Sequence, residues 1–275
     1  MCTVSIIPLE ACRGSGLAAG AGGYRLVTNR DESHRRVPGV GPEVRHPAGE
    51  GLFPAVWPTD PEGGGTWVSV NAAGVTLALL NIYGGGSAGG GAADAAGKLS
   101  RGLVIPALAH APSAADAAAA LSALDLSGFR GFRLVAVDRE SIIECRWEAD
   151  GGRLSVAESG LGLACFSSHG RGDRHARARL GLFRRWFADR APSAAEQDAF
   201  HRHQWASRPE ISVRMVREDA RTVSITSVSV GDDVRMRYEP LSAAGLFDAS
   251  SGVCAEDSSE VRIEAVELIG KGAGA

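Results

Sequence analysis

The chain has 275 residues, of which 44% are hydrophobic and 22% are charged, and its formal net charge is −3. A chain of this length and composition can bury a substantial core. The small net charge gives no overall attraction to nucleic acid or to an anionic membrane, and no apolar run approaches the ~20 residues that span a bilayer. We therefore expect a globular protein without a nucleic-acid partner and without stable membrane insertion.

The five cysteines are scattered along the chain, at Cys2, Cys12, Cys145, Cys165 and Cys254. Their odd number and wide spacing argue against a disulfide framework, and no CxxC pair indicates a zinc site. The chain does not begin with a basic segment followed by an apolar one, so no secretory signal is expected. These features predict a reduced, cytoplasmic protein that holds no metal and no cofactor.

The first part of the chain predicts a series of β-strands. Residues 2–8 and 24–29 are the first two strands, joined by a glycine-rich loop. Residues 33–63 are rich in proline and glycine and show little periodicity, which predicts a long loop. Residues 66–70 and 75–81 then predict a hairpin.

The middle of the chain predicts a loop, two helices and a return to strands. Residues 84–97 are low in complexity and lack the spacing of a phosphate-binding loop, so they predict a surface loop. One helix is predicted over residues 100–109, and a capping box that begins at Ser113 predicts another. Strand patterns return at residues 132–137, 141–147, 153–157 and 162–167.

Two more helices and a last group of strands follow. A helix is predicted over residues 173–189 from an apolar stripe, and a capping box at Ser193 begins the next. The stripe consists of Ala176, Leu180, Phe183 and Phe187. The arginines assigned to the solvated face of that helix are Arg174, Arg177, Arg184 and Arg185. The closing strands are predicted at residues 211–216, 222–230 and 234–238, whereas residues 261–269 fit a helix or a strand.

The order of these elements is informative about the fold class. Strands and helices occur in blocks instead of strict alternation, which is typical of layered α+β folds. No linker divides the chain, so we expect one domain over residues 1–275, with a core of about 2–240 and a C-terminal extension at 241–275.

The second residue carries the strongest chemical signal. If the initiator Met is removed, Cys2 has both a thiol and a free α-amine, which together form a nucleophile and its base. Their reference pKa values, about 8.5 and about 7.7–8.0, lie near working pH. Because a cysteine in a strand is more often a small buried hydrophobe, position 2 gains weight only from its neighbours.

Polar residues at two strand ends are candidate partners of this cysteine. Asn29, Arg30, Asp31 and Glu32 end the second strand, beside Cys2 if the first two strands pair. Asp31 would then hold the α-ammonium, and Arg30 would favour the thiolate. An ordinary charged strand end is an equally good interpretation of this tetrad.

Asn81 ends an apolar strand. A side-chain amide in this position suits an oxyanion donor, although a turn-forming asparagine fits the same place.

Several motifs in the first 102 residues combine into one family pattern. They are Met1-Cys2-Thr3, the tetrad from Asn29 to Glu32, Gly64-Gly65-Thr66-Trp67 with Asn71 and Gly74, Leu80-Asn81, and Ser100-Arg101-Gly102. This combination resembles the NRDE family, also called the Transport and Golgi Organisation protein 2 family. That family is in turn similar to the N-terminal-nucleophile hydrolases of the choloylglycine hydrolase and penicillin V acylase type.

The resemblance implies a fold, a reaction and a set of roles. The fold would be a four-layer αββα sandwich of the α+β class, and the reaction would be hydrolysis of a linear amide C–N bond. Cys2 would be nucleophile and base, Asp31 would contact the α-amine and Asn81 would donate to the oxyanion, with Arg30 as a further catalytic candidate. The candidates for substrate binding are Asn29, Glu32, Thr66, Trp67, Ser168, Arg208 and Arg214.

Two departures from the hydrolase pattern keep a second function open. Thr28 stands where the hydrolases have an arginine, and Ser168 stands where they have a second asparagine. The alternative is a non-catalytic protein that binds or traffics haem or an acyl lipid on the same fold. The expected partner is therefore a small amide, an acyl lipid or haem, and a homo-oligomer is compatible with the sequence.

Overall fold

The structure is a computed structural model that describes residues 2–9, 22–83, 99–170, 173–241 and 258–263. The strands within these ranges are β1 (Cys2–Leu9), β2 (Gly23–Ser33), β3 (Val40–Arg45), β4 (Ala55–Thr59), β5 (Val68–Asn71), β6 (Thr76–Asn81), β7 (Phe132–Val137), β8 (Ser141–Glu148), β9 (Arg153–Gly160), β10 (Ala164–Ser167), β11 (Ala220–Val230), β12 (Val234–Pro240) and β13 (Ser259–Ile263). The α-helices are α1 (Val104–Leu108), α2 (Ala114–Ala123), α3 (Asp173–Trp186) and α4 (Ala194–Arg202).

The strands form two antiparallel sheets. The first has the order β10-β1-β2-β11-β12-β13, and the second has the order β3-β4-β5-β6-β7-β8-β9. The N-terminal strand β1 therefore lies inside the first sheet, between β2 and β10. This position fixes the start of the described chain against neighbours on both sides.

Three apolar layers hold the sheets and helices together. Between the sheets, Leu26 of β2 and Val135 of β7 belong to one fully buried cluster. On the outside of the second sheet, Leu121 of α2 packs in a cluster with the β6 and β7 side chains. On the outside of the first sheet, Phe200 of α4 packs with side chains of α3. The structure thus confirms the four-layer αββα sandwich, in which successive side chains of a strand point to opposite faces of its sheet.

Local signals located several elements correctly. The predicted hairpin is β5–β6, which pairs Val68 with Ala78. Both capping boxes are confirmed, because the Ser113 hydroxyl accepts from the Asp116 N–H at 3.0 Å and the Ser193 hydroxyl accepts from the Glu196 N–H at 3.2 Å.

The long loop predicted over residues 33–63 is wrong. This segment contains β3 and β4, which pair at the edge of the second sheet. Pro42 lies in β3 at an irregularity in the pairing, and half of the residues of β3 are exposed. An edge strand tolerates proline and needs no apolar face, so its sequence lacks the alternation that marks a strand.

The strand predicted over residues 211–216 is also wrong. A 3₁₀ turn spans Pro209–Ile211, and the only pairing there is an isolated bridge from Val216 to Arg221. Val213 is buried against the outer helices, so the apolar alternation reflects a loop packed on helices.

The tail provides one more strand, since residues 259–263 pair with β12 as β13. The predicted glycine-rich loop before residue 22 and the loop at 84–97 lie outside the described residues. Within the described residues, no helix is both long enough and apolar enough to cross a membrane.

Candidate active site

Strand pairing brings the acidic tetrad to the N-terminal cysteine. Cys2 lies opposite Arg30 in the β1–β2 ladder, and Thr3 lies opposite Asn29. Because successive residues of a strand point to opposite faces, Arg30 shares the inter-sheet face with Cys2. The side chains of Asn29 and Asp31 point to the other face, where α3 and α4 pack.

Cys2 is held in place by Ser168, which follows β10. The backbone N–H of Cys2 donates to the Ser168 hydroxyl at 3.2 Å, and the Ser168 N–H donates back to the Cys2 carbonyl at 3.0 Å. The cysteine is 8% exposed, so its thiol is nearly buried.

The surroundings of the thiol act in both directions on its ionisation. Burial raises the pKa of the Cys2 thiol, and the carboxylates of Asp31 and Glu32 raise it further. Nearby positive charge and the backbone N–H of Asp31 lower the pKa but do not cancel the effect of burial. The thiol is therefore protonated at neutral pH in this arrangement and needs a base to become a nucleophile.

The Asp31 carboxylate lies behind the cysteine in a fully buried ion pair. Arg179 Nη1 of α3 donates to Asp31 Oδ2 at 3.1 Å, and the Thr222 hydroxyl of β11 donates to Oδ1 at 2.6 Å. Neither side chain of the ion pair has any exposed surface. The Arg179 guanidinium also donates to the Thr3 hydroxyl at 3.0 Å and to the Ile211 carbonyl at 3.2 Å. Arg179 thus joins β1, β2 and α3 directly behind Cys2.

Sequence reasoning missed Arg179, although a signal was present. The apolar stripe of α3 was assigned to positions that include Ala176 and Leu180. The structure buries Ala176 and Arg179, and leaves Leu180 half-buried. An arginine three residues after Ala176 lies on the same helical face, so a cation on the apolar stripe was the sign of a buried carboxylate partner.

A second group of polar side chains, Asn81, Tyr83 and Arg101, lies where β6 ends. The Asn81 amide donates to the Tyr83 hydroxyl at 3.2 Å, and the Arg101 guanidinium carbon lies 5.9 Å from the centroid of the Tyr83 ring. Burial raises the pKa of Tyr83, but neighbouring positive charge and the Asn81 hydrogen bond outweigh it, so the pKa is lowered overall. Cys2 interacts electrostatically with both Tyr83 and Arg101, so this group lies within electrostatic range of the cysteine.

Two glycines explain why Arg101 reaches this place. A Cβ atom at Gly65 would collide with the backbone of Gly102 and would lie 2.7 Å from the Leu103 nitrogen. The Thr66 N–H donates to the Gly102 carbonyl at 3.0 Å across the same contact. The glycine-rich motif before Trp67 and the motif around Arg101 therefore pack backbone against backbone.

The other residues of the tetrad have partners of their own. Arg30 lies 4.4 Å from the Trp67 ring centroid and 3.3 Å from Asp60, while Glu32 pairs with Arg36 at 3.1 Å. Burial raises the pKa of Asp60, but Arg36 and Arg30 outweigh it and lower the pKa overall. Arg30 and Trp67 thus line the inter-sheet face beside Cys2.

Some predicted residues lie apart from this group. Asn29 is buried behind the sheet, where its amide oxygen accepts from His201 Nδ1 at 2.7 Å. Arg208 is exposed and stacks on Trp205 at 5.5 Å, and the Arg214 N–H donates to the His203 carbonyl at 3.1 Å. Among the described contacts, none of these three touches Cys2 or the Asn81 group.

The last of the predicted residues, Thr66, makes a backbone contact. The Thr66 hydroxyl donates to the Val68 carbonyl at 3.0 Å, so it shapes the turn before β5. In the described part of the chain, no three His, Cys, Asp or Glu side chains are grouped in a way that could hold a metal ion.

The architecture has counterparts among solved structures. Two antiparallel sheets lie between helical layers, with Cys2 at the start of an interior strand of the first sheet. A Caenorhabditis elegans N-acylethanolamine-hydrolyzing acid amidase ortholog has this fold, with a TM-score of 0.50, 9% identity, and 82% of this chain and 92% of that chain covered. A mutant conjugated bile acid hydrolase from Clostridium perfringens is similar at a TM-score of 0.47 and 12% identity, with 96% of this chain and 92% of that chain covered.

The chain belongs to the Transport and Golgi organisation 2 family. The model of that family matches residues 19–168, which is more than half of the chain. No curated protein sequence matches the chain.

Proposed function

We propose that this protein, after removal of Met1, is an N-terminal-cysteine amidohydrolase that cleaves a linear amide through an acyl-enzyme on Cys2. One observation carries the proposal. The Cys2 nitrogen lies 3.2 Å from the Ser168 hydroxyl, while the Asp31 N–H lies at the Cys2 thiol, so polar groups are arranged around both reactive atoms of one residue.

The first half of the reaction would form a thioester. The α-amine of Cys2 takes the thiol proton, and the sulfur attacks the carbonyl carbon of the amide. The Asn81 amide keeps one N–H on the Tyr83 hydroxyl and donates the other to the resulting oxyanion, which lowers the barrier because the donor is already held in place. The C–N bond then breaks, and the leaving amine takes the proton from the α-ammonium.

The second half would release the acid. Water attacks the thioester carbon, and its proton passes to the α-amine. The C–S bond breaks, the Cys2 sulfur recovers that proton, and a carboxylic acid leaves. The Asp31 carboxylate, fixed by Arg179, stabilises the transient positive charge on the α-amine.

The fold supports this class of reaction. The C. elegans protein of the same fold is by name an amidase that hydrolyses N-acylethanolamines. An N-acyl amide is accordingly the first substrate class to try.

A panel of N-acyl amides with matched cysteine variants tests the proposal. Turnover should vanish in Cys2→Ala and should persist in Cys165→Ala, because burial raises the pKa of the Cys165 thiol to about 12 and keeps it unreactive. Mass spectrometry of a stopped reaction should show loss of Met1 and an acyl group on Cys2. Full turnover in Cys2→Ala, or in a form that keeps Met1, would overturn the mechanism.

A binding role is the second candidate, and two observations favour it. Burial raises the pKa of the Cys2 thiol, and Ser168 supplies a hydroxyl where the hydrolases have an amide. An acyl lipid or haem would then bind with no covalent step. In that case Cys2→Ala would keep the full affinity for the ligand, measured by a Soret shift for haem or by lipid titration, and no acylated Cys2 would be found.

A further inference from the structure

Two arginines converge beside the end of β6 on a side of the site that the proposed reaction does not use. Arg101 Nη1 donates to the Gly131 carbonyl at 3.2 Å, and the same carbonyl accepts from the Ile82 N–H at 3.0 Å. Arg130 precedes Gly131 in the chain, so its backbone adjoins this contact. Arg101, in the turn before α1, and Arg130, in the turn before β7, therefore lie close to residues 82–83, and Arg101 is within electrostatic range of Cys2.

Neither arginine has a carboxylate partner among the described residues. Other half-buried arginines do have one, as Arg133 has in Glu144 and Arg36 has in Glu32. In contrast, no described ion pair includes Arg101 or Arg130, and the Arg130 Nε atom is buried without a hydrogen-bond partner.

The two charges also oppose each other. Burial lowers the pKa of Arg101, and the positive charge of Arg130 lowers it further, although Tyr83 acts in the opposite direction. Holding two guanidinium groups together in a partly buried place is unfavourable unless an anion binds between them. Guanidinium groups bind carboxylate and phosphate with paired, charge-assisted hydrogen bonds.

We propose that Arg101 and Arg130 form an anion subsite that binds a carboxylate or phosphate group of the substrate while its amide is presented to Cys2. The inference rests on the proposed hydrolase function for the identity of the reacting bond. The anion site itself depends only on the position of the two arginines and on their lack of a carboxylate partner among the described residues. It makes an N-acyl amide with an anionic group a better substrate than its neutral counterpart.

The test compares amides that differ only in charge. An N-acylglycine, an N-acyl aminoethyl phosphate and a neutral N-acylethanolamine share one acyl chain and one amide. A succinyl amide and its methyl ester place the charge on the acyl side. Affinities are measured by calorimetry with the Cys2→Ala protein, so that binding is read without turnover, and kcat/KM is measured with the active protein.

The anionic amides should bind at least about tenfold more tightly than their neutral partners, the range of a hydrogen bond to a charged group. Arg101→Gln and Arg130→Gln should each remove most of this preference, and raised salt should weaken it. Arg153→Gln is the matched control, because Arg153 is exposed on β9 and pairs with Glu148 at 2.7 Å. That variant should keep the full preference, and thermal unfolding confirms that all three variants are folded. The carboxylate and phosphate arms then show which anion is preferred.

Equal affinities for the charged and neutral amides, or a preference that survives both arginine substitutions, would overturn the anion subsite. No detectable binding of the anionic amides would overturn it as well. Cys2-dependent turnover without any charge preference would refute this inference and leave the hydrolase proposal standing. A charge preference in binding without any turnover would refute the hydrolase proposal and leave the anion subsite standing.

Discussion

The buried ion pair between Arg179 and Asp31 supports the sharpest stability prediction. The perturbation is a double-mutant cycle that consists of Arg179→Met, Asp31→Asn and both together. Each single change leaves a charge in a place with no exposed surface, since both side chains are fully buried. The cycle separates the energy of the pair from the other contacts that each residue makes.

The magnitude follows from the geometry. At 3.1 Å and an effective dielectric constant of about 20, the attraction between the two charges is about 5 kcal/mol. Removing one partner of a buried pair typically costs about 3–5 kcal/mol of unfolding free energy, because the other charge stays desolvated. We expect Arg179→Met to lie in that range, and the double variant to cost about 2–3 kcal/mol less than the sum of the singles.

Urea unfolding followed by circular dichroism measures the effect through the shift of the midpoint. Arg177→Met is the control, because Arg177 is exposed on the same helix and its substitution should change the free energy by no more than about 0.5 kcal/mol. If Arg179→Met cost no more than Arg177→Met, or if the two single effects simply added, the ion pair would not be the link between α3 and the strand behind Cys2.

Three further predictions follow from other parts of the structure. Gly65→Ala should lower the free energy of unfolding in urea by about 2 kcal/mol or more, because the added Cβ collides with the backbone of Gly102. Gly151→Ala is the control and should be nearly neutral, because open space surrounds that position. Equal effects of the two substitutions would contradict the close contact at Gly65. Asn81→Ala should lower kcat by about 10²–10³ with a smaller change in KM, the usual cost of an oxyanion donor, and an unchanged kcat would remove Asn81 from the mechanism. Burial lowers the pKa of His169 to about 4 and that of His201 well below its usual value. Between about pH 6.5 and pH 4 the unfolded chain therefore takes up protons that the folded chain does not, so the free energy of unfolding should fall as the pH drops through this range. His169→Asn should make this slope shallower by about 1.4 kcal/mol per pH unit in urea titrations, and an unchanged slope would mean that His169 is protonated in the folded state.

The sequence by itself determined the features that depend on near neighbours. The strands β1 and β2 and the capping boxes at Ser113 and Ser193 reflect preferences that act within a few residues, and the structure confirms them. The four-layer fold was also predictable, because the family resemblance that the short sequence motifs carry implies it. The cysteine and its tetrad could be placed side by side once the first two strands were assumed to pair.

Only the tertiary structure decided which of those residues share a face and what lies behind them. Asp31 and Arg179 are 148 positions apart, so no local pattern could pair them, and Asn29 turned out to face His201 across 172 positions. Asn29 and Asp31 point to the outer face of the first sheet, where α3 and α4 cover them, whereas Arg30 between them points to the inter-sheet face. The edge strand β3 was missed for a related reason, because an edge strand is stabilised by its neighbour β4 in the sheet and needs no apolar pattern of its own.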